Sequence, residues 1–395
     1  MAVINLLLCS QARERSLIPK TSVLEVICSR YLMAAAMSLP VAEFVYAEAA
    51  PERGEISFKY LDYLDYQPDH DRIAIRAPSL MVMTPIAGEW SVSATVVSDT
   101  VSGASPRYHT SGITSMHDKR DGYTVSATRY REHSTHTFGL SYGSETDYIG
   151  RGASYQSNFF SDNKNTTLTL GVGFSYDNIL PNHGYLNDIK SKQTLDAIIG
   201  LTQVFTMADL GQITFRHSDG SGYFSDQYKQ YDMRPDGRVS NSVLFRWNHY
   251  FKESDSTLRS SYRYYQDTFN IQAHTLDFEY VKNLNNGWSV MPLARYYAQT
   301  KASFYYDADP TVQAGYDELT AALNAGKNIT LDQRLSAFGA ITYGGKIVKR
   351  IGRDWMLDFK FEQYEQRSHW ALSKGSTGLD PFSARSFQIG ARYFF

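Results

Sequence analysis

Cysteine is nearly absent. Cys9 and Cys28 are the only two in 395 residues, and both lie near the N-terminus. If that region is removed, the mature chain has neither a disulfide framework nor a thiolate metal site. Long apolar runs are missing too. Beyond the N-terminal region no eighteen consecutive residues are apolar, which excludes a membrane-spanning helix. Neither sign of charge dominates, with 39 Lys and Arg against 41 Asp and Glu. That balance argues against nucleic acid as a partner. The mean hydropathy of −0.38 does not exclude a membrane, because only alternate residues of a transmembrane strand meet lipid.

What is plentiful is aromatic. Phe, Trp and Tyr make up 14% of the chain, and 29 residues are Tyr. Tyrosine joins strand propensity to an amphipathic ring suited to a membrane interface. Residues 1–49 read as a cleaved export signal. Arg13, Arg15, Lys20 and Arg30 precede an apolar run over 31–47, and Ala47-Glu48-Ala49 offers a small-x-small cleavage site, although Glu43 interrupts the run. Residues 50–395 then form one domain.

From about Glu55 onward the hydropathy alternates with period two. Trp90, Val92, Ala94 and Val96 alternate with Ser91, Ser93 and Thr95. Leu168, Leu170, Val172, Phe174 and Tyr176 alternate with Thr167, Thr169, Gly171, Gly173 and Ser175. The second face is small and hydroxylic, which suits a crowded or wet interior. Sixteen strands are expected: 55–64, 72–84, 90–101, 120–131, 136–144, 148–160, 166–177, 191–205, 211–219, 240–250, 257–266, 271–281, 288–299, 332–347, 354–366 and 383–395. Every other connection is a short polar turn. The remaining ones include all the long loops: 102–119, 178–190, 220–239, 300–331 and 367–382. Short turns on one rim and long loops on the other are the asymmetry of an outer-membrane barrel. The fold class expected is all-β: a single transmembrane antiparallel barrel of about sixteen strands, with short periplasmic turns and long extracellular loops.

The last eight residues, Gln388-Ile389-Gly390-Ala391-Arg392-Tyr393-Phe394-Phe395, resemble the C-terminal recognition strand of Gram-negative outer-membrane proteins. Gln388, Gly390, Tyr393 and Phe395 fill its polar, glycine and aromatic slots. The resemblance implies insertion into outer-membrane lipid by the barrel-assembly machinery. Four further motifs are Ser102-Gly103-Ala104-Ser105-Pro106, Tyr223-Phe224-Ser225-Asp226-Gln227-Tyr228-Lys229, Arg334-Leu335-Ser336-Ala337-Phe338-Gly339-Ala340 and Gly378-Leu379-Asp380-Pro381-Phe382. In these the chain resembles the bacterial domain-of-unknown-function family 3570 over essentially the whole mature sequence, least well at 310–328. The resemblance implies an outer-membrane barrel and supplies no activity.

Two sets of polar residues are candidates for function. At the long-loop rim, Asp99, Ser102, Ser105, Glu145, Asp147, Asp226, Asp267 and Asp380 are candidates for ligand binding. The carboxylates among them would hold calcium if they cluster, or would pair with Arg107, Lys229 and Arg263 to fix the loops. In the lumen, Arg216, Arg246, Arg259, Arg263 and Arg295 fall on inward positions, with Asp277, Glu279, Asp358 and Glu362 as opposing acids. These either brace the wall as cross-strand ion pairs or line an aqueous pore, and the two roles are compatible. Within 300–331, residues 316–324 have helix-forming composition with Gly326 as a stop, either turned inward to narrow the mouth or lying on the rim.

Catalysis finds little support. Ser102 or Ser105 with His109 lacks a nucleophile elbow and an orienting acid. The leading expectation is a non-enzymatic, porin-like channel or transporter for small solutes or ions. The alternative is a surface binding or structural barrel with a rim ligand or calcium site, and an outer-membrane hydrolase comes third. A homo-oligomer is expected by analogy with other porins.

Overall fold

The computed structural model describes residues 49–68, 70–106, 113–182, 186–229, 231–307 and 314–395. The export-signal region lies outside them, apart from Ala49. Sixteen strands close into one antiparallel barrel. They are β1 (Glu55–Gln67), β2 (His70–Ile86), β3 (Trp90–Pro106), β4 (Ile113–Arg131), β5 (Ser134–Ser144), β6 (Tyr148–Phe160), β7 (Thr166–Ile179), β8 (Lys190–Val204), β9 (Asp209–Gly222), β11 (Gly237–Phe251), β12 (Ser256–Asp267), β13 (Gln272–Asn283), β14 (Trp288–Gln299), β16 (Phe338–Ile351), β17 (Trp355–Arg367) and β18 (Phe382–Phe394). Two short strands, β10 (Asp232–Met233) and β15 (Ile329–Thr330), pair with each other outside the wall.

Each of the sixteen expected segments is a wall strand, and each wall strand pairs with its neighbours in sequence. The ring closes where β1 meets β18, from Glu55 opposite Phe394 to Tyr66 opposite Ser383. Gly54 and Phe395 exchange backbone bonds of 2.9 and 3.0 Å just beyond that seam. Closure removes the unpaired edge that an open sheet would present to lipid.

The bulky half of the alternation faces outward. Leu140, Ala153, Phe174 and Leu195 form one row across β5–β8. Leu140 is 65% exposed and Leu195 56%. In water such a band would be an aggregation surface, whereas in hydrocarbon it is the solvated face. At the short-turn end Trp288, Trp355, Tyr393 and Phe395 point outward, and the Trp355 and Tyr393 rings lie 4.9 Å apart. This is the aromatic girdle expected where acyl chains give way to headgroups.

Three expectations need correction. The stretch 102–119 is not a long loop: β3 runs to Pro106 and β4 starts at Ile113, so this hairpin stands tall. The strand expected at 332–347 starts six residues later, because the Asp332 side chain accepts from Arg334 N and turns 333–335 into a 3-10 turn. The inner face is not uniformly polar. Leu61, Tyr63, Ile73 and Ile75 point inward from β1 and β2 and are almost fully buried. They form one apolar cluster with Phe224, Phe269, Tyr305, Leu335 and Phe338. A second inward cluster, Val281, Met291, Val348 and Met356, sits at the short-turn end.

Candidate functional site: a plugged mouth and a charged wall

The described ends of the loop between β14 and β16 fold inward through Ala302, Tyr305 and Leu335. Its helix α1 (Ala314–Asn324) ends before Gly326, whose φ of +67° is the left-handed conformation a helix stop requires. Leu319 of α1 packs on Ile329 and Leu331, with Tyr231 against them. The rest of the loop lays Ala302, Tyr305 and Leu335 on the apolar patch of β1 and β2. The loop 223–236 joins it through the β10–β15 pairing.

A buried ionic cluster locks the two loops together. Asp332 is fully buried and takes Arg234 Nη2 at 2.6 Å and Lys229 Nζ at 3.1 Å. Arg334 contacts Asp332 as well and reaches Asp226 at 2.8 Å. Asp232 accepts from Arg234 Nε at 2.9 Å, from the Asp226 backbone at 2.5 Å and from the Thr330 hydroxyl. Burial alone would raise the Asp332 pKa, but the charges of Arg334, Lys229 and Arg234 outweigh it and hold the carboxyl well below its usual range.

Three of the quoted motifs are the parts of this plug. In 223–229, Phe224 enters the apolar cluster and Ser225 Oγ accepts from Arg234 N at 3.0 Å. Asp226 bonds Arg334, and Gln227 and Tyr228 both donate to Asp147, at 2.9 and 2.6 Å. In 334–340, Leu335, Phe338 and Ala340 are buried, and Ala337 N donates to Ser376 Oγ at 2.9 Å. Gly339 lies so close to the Trp370 carbonyl that a Cβ would collide with it. The loop 368–381 is thereby tied to the same assembly. Asp380 is half-buried there and engaged by neighbouring groups.

The rim carboxylates are spread round the mouth. Asp99 and Glu145 flank Arg120, at 2.9 and 3.5 Å. Asp147 and Asp226 serve the plug. Asp267 takes Arg238 at 2.6 Å and the backbone N–H of Phe269 and Ile271, which staples the β12–β13 turn. Among the described residues no three His, Cys, Asp or Glu side chains gather as a metal site. The cations also differ from those expected. Lys229 bonds Asp332, Arg263 belongs to the wall, and Arg107 lies outside the described residues, as does His109. Ser102 and Ser105 are in β3, opposite His117 and Thr114, with side chains outside the description.

The lumen arginines sit where the alternation places them. Arg259 faces Glu279 across β12–β13 and bonds it at 2.5 Å. Arg295 faces Asp277 across β13–β14 and bonds it through Nε. Arg216 reaches Asp196 on β8 at 2.9 Å, and Arg246 donates to Gln212 at 2.8 Å. Asp358 lies 3.7 Å from Lys346, and Glu362 lies 3.0 Å from Lys360. Asp196, Lys346 and Lys360 are partners the sequence reading missed. Each stands at an inward position in the alternation, so the signal was there to read. Gln388 and Gly390 face inward on β18, while Tyr393 and Phe395 face out. On β6–β9 several inward positions are small or hydroxylic, such as Thr169, Gly171, Gly173, Gly200 and Thr214, beside the ion pairs Lys192–Asp177 and Arg216–Asp196. The buried oxygens of Gln156, Thr169, Thr202 and Thr214 have no protein hydrogen-bond partner.

No curated protein matches the sequence. Among solved structures, a bacterial polysaccharide outer-membrane secretin superposes with a TM-score of 0.51 at 10% identity, covering 87% of this chain and 98% of its own. OccK1 of Pseudomonas aeruginosa gives a TM-score of 0.43 at 7% identity, with 88% and 98% covered. The first of these shows a shared barrel fold. Residues 186–379 match the family described as "Protein of unknown function (DUF3570)". The matched segment contains the motifs at 223–229 and 334–340, and also 310–328. It leaves out 102–106 and ends inside 378–382, so the family match is narrower than the motifs suggested. With its lipid-facing band, girdle and closed wall, the chain is a bacterial outer-membrane β-barrel that resembles DUF3570, matched over residues 186–379.

Proposed function

We propose that this barrel is a porin-like channel or transporter for small solutes or ions, narrowed at its outer mouth by the plug. The wall has sixteen strands, the number at which transmembrane barrels of the porin kind leave an aqueous channel. The observation that carries the reading is the set of buried oxygens on Gln156, Thr169, Thr202 and Thr214, spread over the inner faces of β6–β9. A buried polar atom without a protein partner calls for water or solute. The charged half is braced by ion pairs, which keep its side chains on the wall.

The test is planar-bilayer recording of the purified protein. Discrete conductance steps are expected, and they should grow when the plug is loosened. A barrel that inserts and yet stays silent, with the plug intact and with it loosened, would defeat the proposal.

A further inference from the structure

One panel of the inner wall is built without charge. The inward row Ser91, Thr128, Thr137 and Gln156 crosses β3–β6 and ends on Gly171 of β7. The next row toward the outer mouth runs from Ser93 to Gly173 and holds only Ser and Gly. The row after that, from Thr95 to Ser175, holds only Thr, Ser and Gly. Inward charges stand outside these rows: Asp99 and Arg120 nearer the mouth, Asp177 with Lys192, Asp196 with Arg216, and Lys59 and Glu55 on β1. Ser126, Thr128, Thr137 and Ser154 face inward and keep partial exposure, so the lumen reaches them. Ser93 and Ser126 share a hydrogen bond of 2.8 Å, and Thr128 and Thr137 one of 2.9 Å. Each pair uses one of its two hydroxyl protons in that bond, and the other remains to be donated.

A second observation points to a ligand. Gln156 and Asn158 are successive inward residues of β6, and Thr169 of β7 stands opposite Asn158. The three are 3%, 7% and 2% exposed. Gln156 Oε1, Asn158 Oδ1 and Thr169 Oγ1 have no hydrogen-bond partner in the protein. The Asn158 amide nitrogen donates to Thr135 Oγ1 at 2.9 Å, which leaves its oxygen to accept from elsewhere. Thr214 Oγ1, across Gly200 from Thr169, is unpartnered as well. Burying such oxygens unpaired is costly, so the position calls for a guest that brings hydroxyl protons.

We propose that the inner face of β3–β7 is a binding track for small neutral solutes with several hydroxyl groups, anchored by Gln156, Asn158 and Thr169. The two amide oxygens accept from solute hydroxyls. The Ser and Thr hydroxyls both donate and accept, so they pair with the remaining hydroxyls in either sense. An ion on this panel would give up water for a surface without a countercharge, which costs more than moving a neutral polyol there. The inference rests on the channel reading above and narrows it to a solute class.

The experiment records KCl current through the reconstituted full-length barrel while sorbitol is titrated in. Potassium gluconate, the same carbon chain ending in a carboxylate, is the charged comparison. After correction for bath conductivity, sorbitol should reduce the current saturably and gluconate should not. Gln156→Leu and Thr169→Val should each raise the half-saturating sorbitol concentration about fivefold, the scale of one net hydrogen bond. Thr169→Val keeps the side-chain shape and covers the case in which Gln156→Leu does not fold. A sorbitol effect that never saturates, an equal effect of gluconate, or a half-saturation moved by neither variant overturns the track and leaves the channel reading standing. A barrel that stays silent with the plug intact and with it loosened overturns both.

Discussion

The carboxylate of Asp358 occupies the space that a side chain on Gly390 would need. The two residues face each other across β17 and β18, and a Cβ on Gly390 would meet both carboxylate oxygens. The glycine of the C-terminal motif thus has a structural reason inside the barrel, apart from any recognition during assembly. Gly390→Ala should push Asp358 off Lys346 and cost about 1–3 kcal/mol, as overpacking does. Urea unfolding from lipid vesicles measures it, and adding Asp358→Ala should restore much of the loss. An unchanged midpoint for Gly390→Ala would mean that the wall yields freely at this level.

Asp332→Asn should loosen the plug. It removes the one carboxylate shared by Arg234, Arg334 and Lys229 and leaves three cations crowded together. Breaking a buried ion network costs about 3–5 kcal/mol, most of it local here. Limited proteolysis should then cut within 300–337 while the wall stays intact. Under the channel reading the conductance step should rise. Equal protease resistance in both proteins would show that the apolar cluster alone holds the loops.

The same carboxylate sets an acid limit. Its pKa is lowered in the folded state, so its contribution is fully present above the ordinary carboxyl range. That contribution is lost as pH falls through the lowered value. The plug should therefore resist protease through mildly acid conditions and release only in strong acid. Proteolysis across a pH series with an acid-stable protease checks it. Release near neutrality would contradict the assigned sign.

The lipid-facing band makes a depth-dependent prediction. Val172 lies in β7 on the outer face and is 52% exposed. Val172→Arg should cost about 2–4 kcal/mol if that row lies near the bilayer midplane. Val172→Leu should cost little. Refolding equilibria in phospholipid vesicles separate the two, and equal costs would place this face outside hydrocarbon.

The wall was legible in the sequence because its constraint is local. Trp90 through Val96 and Leu168 through Tyr176 declare their faces within single strands, and the terminal octamer declares the seam. The plug was not legible, since its contacts join distant stretches. Asp226 bonds Arg334 over 108 positions, and Gln227 bonds Asp147 over 80. The sequence named Asp226 and Lys229 as rim residues but had no means of finding Asp332 or Arg234 beside them. Inward Tyr63 and Ile75 ran against the polar-lumen expectation for the same reason: what they pack against arrives from elsewhere in the chain. The height of the β3–β4 hairpin was missed because Gly103, Ser105 and Pro106 read as loop by composition, although that backbone pairs across to β4.

The pairing of β10 with β15 makes a crown of the loop between β9 and β11 and the loop between β14 and β16, which leave the wall on either side of the β12–β13 hairpin. Seen from outside the cell, the crown is one epitope stitched from stretches about a hundred residues apart, as the Thr330–Asp232 bond spans 98. An antibody raised against the intact barrel should bind this crown and ignore free peptides copied from either stretch. Vaccine or affinity reagents aimed here would need the whole folded crown as immunogen.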